Sequence, residues 1–342
     1  GGVRSSGRDI ARFDLTLDAN KKIIASSVDV VDMTGVTPSE ELRSNPVIAE
    51  AHQATRNFIT GGTGEKGEKG ASLGSTTAKF QPKNEIAGLP EGKLRDPAVM
   101  DLINKVQLAN SGADVSAAAL FKDTSDLPKG DINYGNIFNI YKFDNTLYRV
   151  PVTGAELKAY MEWSVECYNQ WVPGDINISF DPEYPGYLYD MFAGVDYEID
   201  LSQPKGQRIK NVMFHGEPLR DDQTLTLAVN NYRYSSALKS QGLVAGKKES
   251  SNSIRDMIVA YFAEHSPVAP EVDNNWKIVG VDLQEDNPDR ATLIALINKG
   301  IIDTPYSKSL NLNDPEVQEI LNDKSNSALR NWNRVKMFFT LK

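Results

Sequence analysis

The stretch Leu225-Thr-Leu-Ala-Val-Asn-Asn-Tyr-Arg-Tyr234 joins an apolar run directly to polar and aromatic residues. Leu225 to Val229 has the composition of a buried strand, so Asn230 to Tyr234 begins where such a strand leaves its sheet. Aromatic rings at strand exits can stack on flat ligands, and amides beside them can donate and accept hydrogen bonds. The stretch therefore predicts a sheet with polar, aromatic loops at one edge.

Patterns typical of helices and strands alternate around this stretch, from Ser75 to Gly280. Thr153 and Glu156 have the spacing of a capping box, which predicts a helix start. The alternation predicts an α+β fold of mixed sheet and helix layers. Further predicted elements are a helix after Asp96-Pro97, a buried strand over 113–121, strands over 197–201 and 208–214, a helix over 253–264 and a short helix through Leu293, Ile294 and Ile297.

The N-terminal residues carry two other patterns. Arg8 to Met33 alternates apolar and polar side chains around a turn, which predicts a β-hairpin. A two-stranded sheet alone is marginally stable, so we expect further strands upstream or elsewhere in the chain. Thr37 and Glu40 resemble a second capping box, and the helix predicted there runs to about Ile59 with an interruption at Pro46.

Residues 61–72 hold five glycines and balanced charges. Such a composition cannot bury apolar surface, so the segment is predicted to be a hinge and a domain boundary. Its three Gly-x-y triplets are too few for collagen. It lacks the Gly-Lys-Ser/Thr sequence of a phosphate-binding P-loop.

The overall composition restricts the function classes. The net charge of −9 argues against binding to a nucleic-acid polymer, because that affinity depends on Lys and Arg. No apolar run reaches the roughly 18 residues of a membrane-spanning helix. The single cysteine, Cys167, cannot form an internal disulfide, and it leaves the redox compartment open. Gly1 is not a translation start, so we expect the parent protein to continue upstream.

Motifs for metal binding or nucleophilic catalysis are missing from the sequence. His52, His215 and His265 stand far apart and outside any metal-binding spacing. We therefore expect no transition-metal or dinuclear hydrolytic site in this chain. Carboxylates could hold calcium loosely, but no EF-hand spacing occurs. Cys167 falls within a predicted helix, which favours a packed side chain over a nucleophile.

Three segments place aromatic residues among turn residues, namely Tyr141–Leu147, Tyr187–Phe192 and Asn230–Tyr234. We interpret the second segment as a loop rich in Pro and Gly. Stacking on an aromatic ring contributes about 1 to 3 kcal/mol per base, and asparagine can read the edge of that base. Aromatic side chains near loops also commonly cover the edge of a core, so the residues alone leave both interpretations open.

The same segments resemble the C-terminal domain of 5'-nucleotidases. The matching motifs occur in order at Gly130–Tyr134, Tyr141–Leu147, Val152–Leu157 and Leu227–Arg233. Within the family, the chain is most similar to bifunctional 2',3'-cyclic-nucleotide 2'-phosphodiesterase/3'-nucleotidases. That similarity rests on Met161–Ser164, Tyr189–Phe192, Gly194–Tyr197 and Arg208-Ile209.

In this family, the C-terminal domain holds the base of a nucleotide or nucleoside between two aromatic rings. The resemblance implies that Phe143 and Tyr232 are those rings. The substrate-binding residues that the resemblance implies are Phe143, Asn145, Tyr189, Asp190, Asn231, Tyr232 and Arg233. Two family motifs differ here: 110–116 carries no arginine for a phosphate, and Tyr234-Ser-Ser-Ala replaces a Gly-Gly-Asp-Gly run.

The resemblance also implies a domain organisation. The expected parts are residues 1–37 as the last strands of a metallophosphatase domain, 38–72 as a linker helix and glycine-rich hinge, 73–280 as the nucleoside-binding domain and 281–342 as a C-terminal extension. The metal-binding motifs of the family do not occur in the sequence. We therefore expect the missing metallophosphatase domain, with its two divalent ions such as Mn or Zn, to lie upstream.

These expectations lead to two hypotheses about function. In the first, the chain is the substrate-recognition part of a metal-dependent phosphoesterase, inactive alone and exported to the periplasm, cell wall or exterior of a bacterium. In the second, it is a bacterial cell-surface binding or adhesion module that keeps the fold and does not bind nucleotides.

Overall fold

The computed structural model describes residues 8–37, 39–60, 71–239, 248–303 and 305–322, and it describes no side chains for 58–60 and 248–251. The chain divides into two compact units, Gly1–Phe58 and Ile59–Lys342. The predicted hinge falls largely on residues 61–70, outside the described residues, so it stays a prediction. The four domain limits proposed above also stay predictions.

The first unit contains the predicted hairpin. Strands β1 (Asp9–Leu17) and β2 (Ile23–Asp32) pair antiparallel, and they form a two-stranded sheet among the described residues. Their large apolar side chains are exposed, including Phe13 at 65%. The hairpin prediction is confirmed, and its apolar surface is not covered within the described structure.

Two helices follow the hairpin, α1 (Glu40–Ser44) and α2 (Pro46–Thr60). The predicted interruption at Pro46 is confirmed. The predicted capping box of Thr37 is wrong, because Ser39 occupies the N-cap and its side chain makes no capping hydrogen bond. The acidic Glu40 therefore lies at the first helical position and not at the third position that a capping box requires. At the first position its negative charge interacts favourably with the helix dipole.

The second unit has an α+β fold, as predicted. Its helices are α3 (Ala98–Ser111), α4 (Tyr134–Ile140), α5 (Gly154–Ser164), α6 (Asn231–Arg233), α7 (Ile254–His265), α8 (Pro288–Asn298) and α9 (Pro315–Asn322). Its strands are β3 (Ser72–Thr76), β4 (Val115–Ala119), β5 (Gly130–Asn133), β6 (Thr146–Thr153), β7 (Asp190–Ala193), β8 (Asp196–Asp200), β9 (Ile209–Phe214), β10 (Glu217–Pro218), β11 (Thr224–Asn230), β12 (Lys248–Ser253) and β13 (Trp276–Val279).

A five-stranded mixed sheet forms the centre of this unit, in the order β12-β6-β11-β4-β7. Strand β11 runs parallel to β4 and antiparallel to β6, with Asn230 opposite Leu147. A second sheet has the order β10-β9-β8-β13, and β3 pairs with β5. Helix α5 begins with the predicted capping box, since the Thr153 and Glu156 side chains bind each other's backbone N–H.

Helix α3 packs directly on the central sheet. Strand β4, with the sequence VSAAA, is buried along its whole length, and its small side chains let the helix approach closely. Two side-chain hydrogen bonds form at this contact: Gln107 donates to Ser116 Oγ over 2.7 Å, and Ser116 donates to Asn104 Oδ1 over 2.8 Å. The helix and strand predicted for this region are confirmed.

The residues after Gly280 pack on the rest of the unit. Arg290, at the start of α8, is buried; it donates to the Ile176 carbonyl over 2.9 Å and pairs with Glu85 over 3.0 Å. The predicted helix through Leu293 is confirmed as α8. Helix α9 was not predicted, because the Asp- and Asn-rich sequence before it resembles a loop.

Two local predictions require correction. Asp190 begins the buried strand β7, so the segment interpreted as a loop is a loop only as far as Tyr189. The sequence of β7 shows no alternation of apolar and polar residues, because both faces of this strand are covered. Cys167 lies in a 3-10 turn after α5, not within a helix. Its side chain is buried, and burial raises the pKa of the Cys167 thiol to about 12, which disfavours a reactive thiolate.

Candidate nucleoside-binding site

Five strand ends meet at one edge of the central sheet. Because β4 and β11 are parallel, their last residues, Ala119 and Asn230, lie at the same edge. The antiparallel partners begin or end there too: β6 begins at Thr146, β7 begins at Asp190 opposite Ala119, and β12 ends at Ser253 opposite Thr146. We call this end of the sheet the aromatic edge. Every segment predicted to bind a ligand joins the sheet at this edge.

The loop before β6 carries Phe143 to the aromatic edge. The Phe143 side chain is 39% exposed, so part of its ring is free for contact. Phe121, which follows β4, packs edge-on against it with ring centroids 4.9 Å apart. The Lys142 ammonium lies 4.7 Å from the Phe143 ring centre. The ring is thus supported by protein and still partly open to solvent.

The turn after β11 carries Tyr232 to the same edge. Tyr232 lies two residues after the sheet ends at Asn230, and its side chain is 53% exposed. The Asn230 side chain caps the short helix α6 by accepting a hydrogen bond of 2.8 Å from the backbone N–H of Arg233. This cap fixes the direction in which the chain leaves the sheet, and hence where Tyr232 lies.

A buried ion pair holds the Tyr232 turn from behind. The guanidinium of Arg233 binds both carboxylate oxygens of Asp190, with Nη2 to Oδ1 at 3.2 Å, and both side chains are at most 2% exposed. Arg233 also donates to the Tyr187 carbonyl and lies 5.1 Å from the Trp163 ring centre. Burial opposes the charge of Arg233, but Asp190 outweighs it, so the pKa of Arg233 lies above its ordinary value.

Asp190 has further partners on α5. Tyr160 donates its hydroxyl to the Asp190 carboxylate. Burial and the nearby Asp190 charge raise the pKa of Tyr160 well above its ordinary value, so this hydroxyl stays a donor. Ser164 Oγ bonds to the Asp190 backbone N–H and carbonyl at 2.7 Å each. The network fastens the start of β7 and the Tyr232 turn to one helix.

A second buried arginine, Arg255 on α7, holds the Phe143 loop. Its guanidinium donates to the Lys142 carbonyl over 3.2 Å and to Asp144 over 2.6 Å. It also lies 5.6 Å from the ring centre of Phe138, a distance at which cation–π attraction operates. The loop end is fixed as well, because the Asn145 carbonyl accepts from the N–H of Ile254 over 2.9 Å.

Several buried polar atoms at and behind the aromatic edge have unused bonding capacity, among them Arg233 Nη1, Arg255 Nε and Asn231 Oδ1. Asn231 Oδ1 is shielded from solvent and has no hydrogen-bond partner in the described part of the chain. A buried carbonyl oxygen without a donor destabilises a protein, and this cost is commonly accepted where a ligand supplies the missing partner. Asn231 is therefore well suited to read a polar group on a bound ring.

The structure divides the predicted site residues into two groups. Phe143 and Tyr232 are exposed at the edge, while Asn145 and Asn231 are half-buried beside them. Tyr189, Asp190 and Arg233 are enclosed by protein behind the edge. Their assignment to substrate binding stays a prediction, and their geometry gives them a supporting position. Sequence reasoning did not identify Phe121, Tyr160, Trp163 or Arg255, since no local pattern marks a residue that contacts the site from a distant segment.

The described residues do not fit a dinuclear hydrolytic centre. Among them, a single group of three His, Cys, Asp or Glu side chains could hold a metal ion, and it consists of Asp96, Asp101 and Asp273. Three aspartates without histidine are unlike the mixed nitrogen and oxygen sets that bind transition metals.

A known family model matches the part of the chain that carries most of the aromatic edge. Residues 74–240 match the family model for the 5'-nucleotidase C-terminal domain. The resemblance seen in the motifs of this segment is confirmed. The match contains the complete aromatic edge except the segment after residue 240.

Two curated relatives extend the similarity. The chain is 28% identical over 271 residues to a 2',3'-cyclic-nucleotide 2'-phosphodiesterase/3'-nucleotidase from Yersinia enterocolitica, which covers 70% of this chain and 40% of that protein. It is 25% identical over 299 residues to the trifunctional nucleotide phosphoesterase protein YfkN from Bacillus subtilis (strain 168), covering 81% of this chain and 20% of that protein. The chain thus spans less than half the length of either relative.

Solved structures show the same fold. A Staphylococcus aureus protein assigned as a 5'-nucleotidase, in complex with alpha-ketoglutarate, superimposes with a TM-score of 0.61 at 21% identity, covering 80% of this chain and 51% of that chain. A 5'-nucleotidase precursor from Thermus thermophilus gives a TM-score of 0.52 at 19% identity, covering 81% of this chain and 51% of that chain.

Within the described residues, none of the helices combines the length and apolar character needed to cross a membrane.

Proposed function

We propose that this chain is the nucleoside-recognition part of a nucleotide phosphoesterase, and that Phe143 and Tyr232 hold the base between them. The observation that carries the proposal is the pairing of β6 with β11. Because Asn230 lies opposite Leu147, the residues just outside the two strands emerge side by side. Both rings are exposed there, within a domain of the 5'-nucleotidase C-terminal family.

The contacts around the rings support this role. Each ring lies on a segment that a buried arginine ties to the core, Arg255 for Phe143 and Arg233 for Tyr232. Rings held in this way lose little freedom when a ligand binds, so more of the stacking energy contributes to affinity. Asn231 Oδ1 would accept a hydrogen bond from the edge of the base. Asn145, beside Phe143, would bind the edge of the same base.

The rest of the catalytic apparatus belongs, in this proposal, to an upstream metallophosphatase domain. Three observations support this proposal. The matches cover at most 40% of the curated phosphoesterases, and the described residues lack a set of ligands for two metal ions. The hairpin also leaves Phe13 and its apolar neighbours exposed, as a surface that contacts another domain would be. Two divalent ions there would supply the attacking hydroxide and polarise the phosphate. The isolated chain would bind substrate without hydrolysing it.

The substrate class follows from the same reasoning. The relatives point to 2',3'-cyclic nucleotides and 3'-nucleotides for the parent protein.

We also propose that the parent acts outside the cytoplasm, in the periplasm, the cell wall or the medium, as the family resemblance implies. Fractionation of the native organism with an antibody against this chain tests that location; recovery in the cytoplasm alone contradicts it.

Calorimetric titration with adenosine tests the binding role. Wild-type chain is expected to bind, and Phe143→Ala and Tyr232→Ala are each expected to weaken binding by about 1 to 3 kcal/mol, the typical energy of one stacked base. Phe13→Ala is the matched control, because Phe13 is an exposed phenylalanine on the hairpin and not at the aromatic edge.

The outcomes separate the two hypotheses on function. Loss of affinity in both edge variants with an unchanged Phe13 variant supports nucleoside recognition. Absence of binding by the wild type, or equal binding by all four proteins, contradicts it and favours the adhesion module. Efficient hydrolysis of 2',3'-cyclic AMP by the purified chain with manganese would contradict the proposed inactivity.

A further inference from the structure

An acidic cluster lies apart from the aromatic edge. Its members come from three places in the chain: Asp96 precedes α3, Asp101 lies in the first turn of α3, and Asp273 lies in the loop before β13. One oxygen from each of the three carboxylates lies within 4.8 Å of the others. The cluster lies near Ala193 and Gly194, beyond the end of β7 that is opposite to Asp190.

The carboxylate of Asp96 is the decisive member. It is only 9% exposed, and its Oδ1 accepts a hydrogen bond of 2.9 Å from the indole N–H of Trp276. Its Oδ2 is shielded from solvent and meets no N–H or O–H donor in the described residues, while the carboxylate of Asp273 lies within hydrogen-bond reach of Asp96. One oxygen of Asp96 lies within 4.8 Å of an oxygen of Asp101 and of Asp273, so the Asp96 carboxylate is directed into the cluster. A buried anionic oxygen without a partner requires a proton or a cation.

The other two carboxylates are held in place by backbone groups. Asp101 accepts from the N–H of Asp273 over 3.1 Å, and Asp273 accepts from the N–H of Asn275 over 3.1 Å. In Asp101 and in Asp273, one carboxylate oxygen thus accepts a hydrogen bond from a backbone N–H, and this bond orients the carboxylate. Outer hydrogen bonds of this kind are common for metal-binding carboxylates, because they fix the direction of the remaining oxygen.

No cationic side chain compensates this charge within the described structure. Lys105, which lines the same cavity, is paired with Glu271 over 2.8 Å. Without a cation, carboxylates this close can lie together only by binding protons.

We propose that Asp96, Asp101 and Asp273 bind a calcium ion that joins the start of helix α3 to strand β13. Oxygen-only donors are typical of hard cations, and calcium accepts six to eight of them in irregular geometry. The three aspartates and water can supply that set, because Asp101 and Asp273 line an open cavity of about 330 Å³. Since Trp276 belongs to β13, the ion would fasten the four-stranded sheet to the helix that covers the central sheet.

Terbium luminescence provides a direct test. Terbium occupies calcium sites and emits when a nearby indole transfers energy to it, and Trp276 contacts the cluster directly. Wild-type chain freed of divalent ions is expected to show sensitised emission that calcium displaces. Asp101→Asn and Asp273→Asn are each expected to lose most of this emission. Glu271→Gln is the matched control, because it removes a carboxylate in the same cavity outside the cluster.

Thermal unfolding supplies a second readout that does not depend on the probe ion. Calcium at a hundredfold excess over its Kd is expected to raise the Tm of the wild type by roughly 5 °C or more. The two aspartate variants should fold, since they relieve repulsion between carboxylates, and should show little response to calcium. The Glu271 variant should respond like the wild type.

Three results would overturn the proposal. Wild-type chain without terbium emission and without a calcium response at millimolar concentration would show that the cluster is only a group of carboxyls sharing a proton. A calcium response that survives in both aspartate variants would place the ion elsewhere. An equal response to magnesium would contradict the assignment to calcium. None of these results bears on the binding of nucleosides at the opposite end of the sheet.

Discussion

The aromatic edge holds its two exposed rings by different means. The Tyr232 turn depends on an ion pair that is completely buried, Arg233 with Asp190. The Phe143 loop depends on aromatic packing against Phe121 and on Arg255, whose acidic partner is 79% exposed. One ring is positioned by charge in the interior, and the other mainly by apolar contact at the surface.

This difference has consequences for stability and for binding. A buried ion pair is costly to break, because the remaining charge has no partner, whereas a pair with one solvent-exposed member contributes little. The Tyr232 side of the site should therefore be rigid and sensitive to mutation in its support. The Phe143 side should tolerate loss of its acidic partner but respond to changes in ring packing.

The largest expected effect is on the free energy of unfolding of the Asp190→Asn variant. This change leaves the Arg233 guanidinium buried without its counter-charge, which should cost about 3 to 5 kcal/mol. Urea unfolding followed by circular dichroism measures it. Asp29→Asn, which breaks an exposed pair with Arg12 in the hairpin, is the control and should cost less than about 1 kcal/mol. Equal losses in the two variants would contradict a special role for the buried pair.

A smaller loss is expected for Tyr160→Phe. The variant keeps the ring and removes one donor to the Asp190 carboxylate, and hydrogen bonds to charged groups contribute about 1.5 to 3 kcal/mol. The same unfolding measurement applies. Because the hydroxyl supports the Tyr232 side, adenosine affinity should fall with stability in this variant. Unchanged affinity would show that the network acts on the fold alone.

Truncation of the two rings should separate packing from ligand contact. Phe143→Ala removes the edge-on pair with Phe121, worth about 0.5 to 1.5 kcal/mol of unfolding free energy. Tyr232→Ala removes an exposed side chain and should change stability by at most about 0.5 kcal/mol. Chemical unfolding of both variants checks this; a larger loss for Tyr232→Ala would reverse the comparison.

Among the residues that support the two rings, the smallest effect is predicted for Asp144→Asn. Its carboxylate pairs with Arg255 over 2.6 Å but faces solvent, so the change should cost between about 0 and 1 kcal/mol and shrink further in high salt. Unfolding at low and high salt measures it. A loss comparable to that of Asp190→Asn would show that both rings are held by charge.

Much of the fold could be predicted from local patterns. The capping box of Thr153 and Glu156 identified the start of α5, and hydrophobic periodicity identified α3. The Thr37 prediction failed, because two helix-start signals overlap and Ser39 took the N-cap. Strand β7 was missed, because a short strand covered on both faces does not alternate in polarity.

The site could be predicted only in part, for a different reason. The family resemblance predicts Phe143 and Tyr232 as the rings of the site, but their support depends on the register of β6 against β11 and on contacts across the chain. Arg233 and Asp190 are hydrogen-bonded although 43 positions separate them in the sequence, and 172 positions separate Asp273 from its partner Asp101. No local pattern encodes such pairs, so the two arginine supports and the acidic cluster became visible only in the folded chain.

A crystal structure of the chain with adenosine tests the central claim most directly. We predict that the base lies between the rings of Phe143 and Tyr232, at about 3.5 to 4 Å from each, with Asn231 Oδ1 accepting a hydrogen bond from its edge. Adenosine bound at another place, or a base in contact with only one of the two rings, would contradict the account.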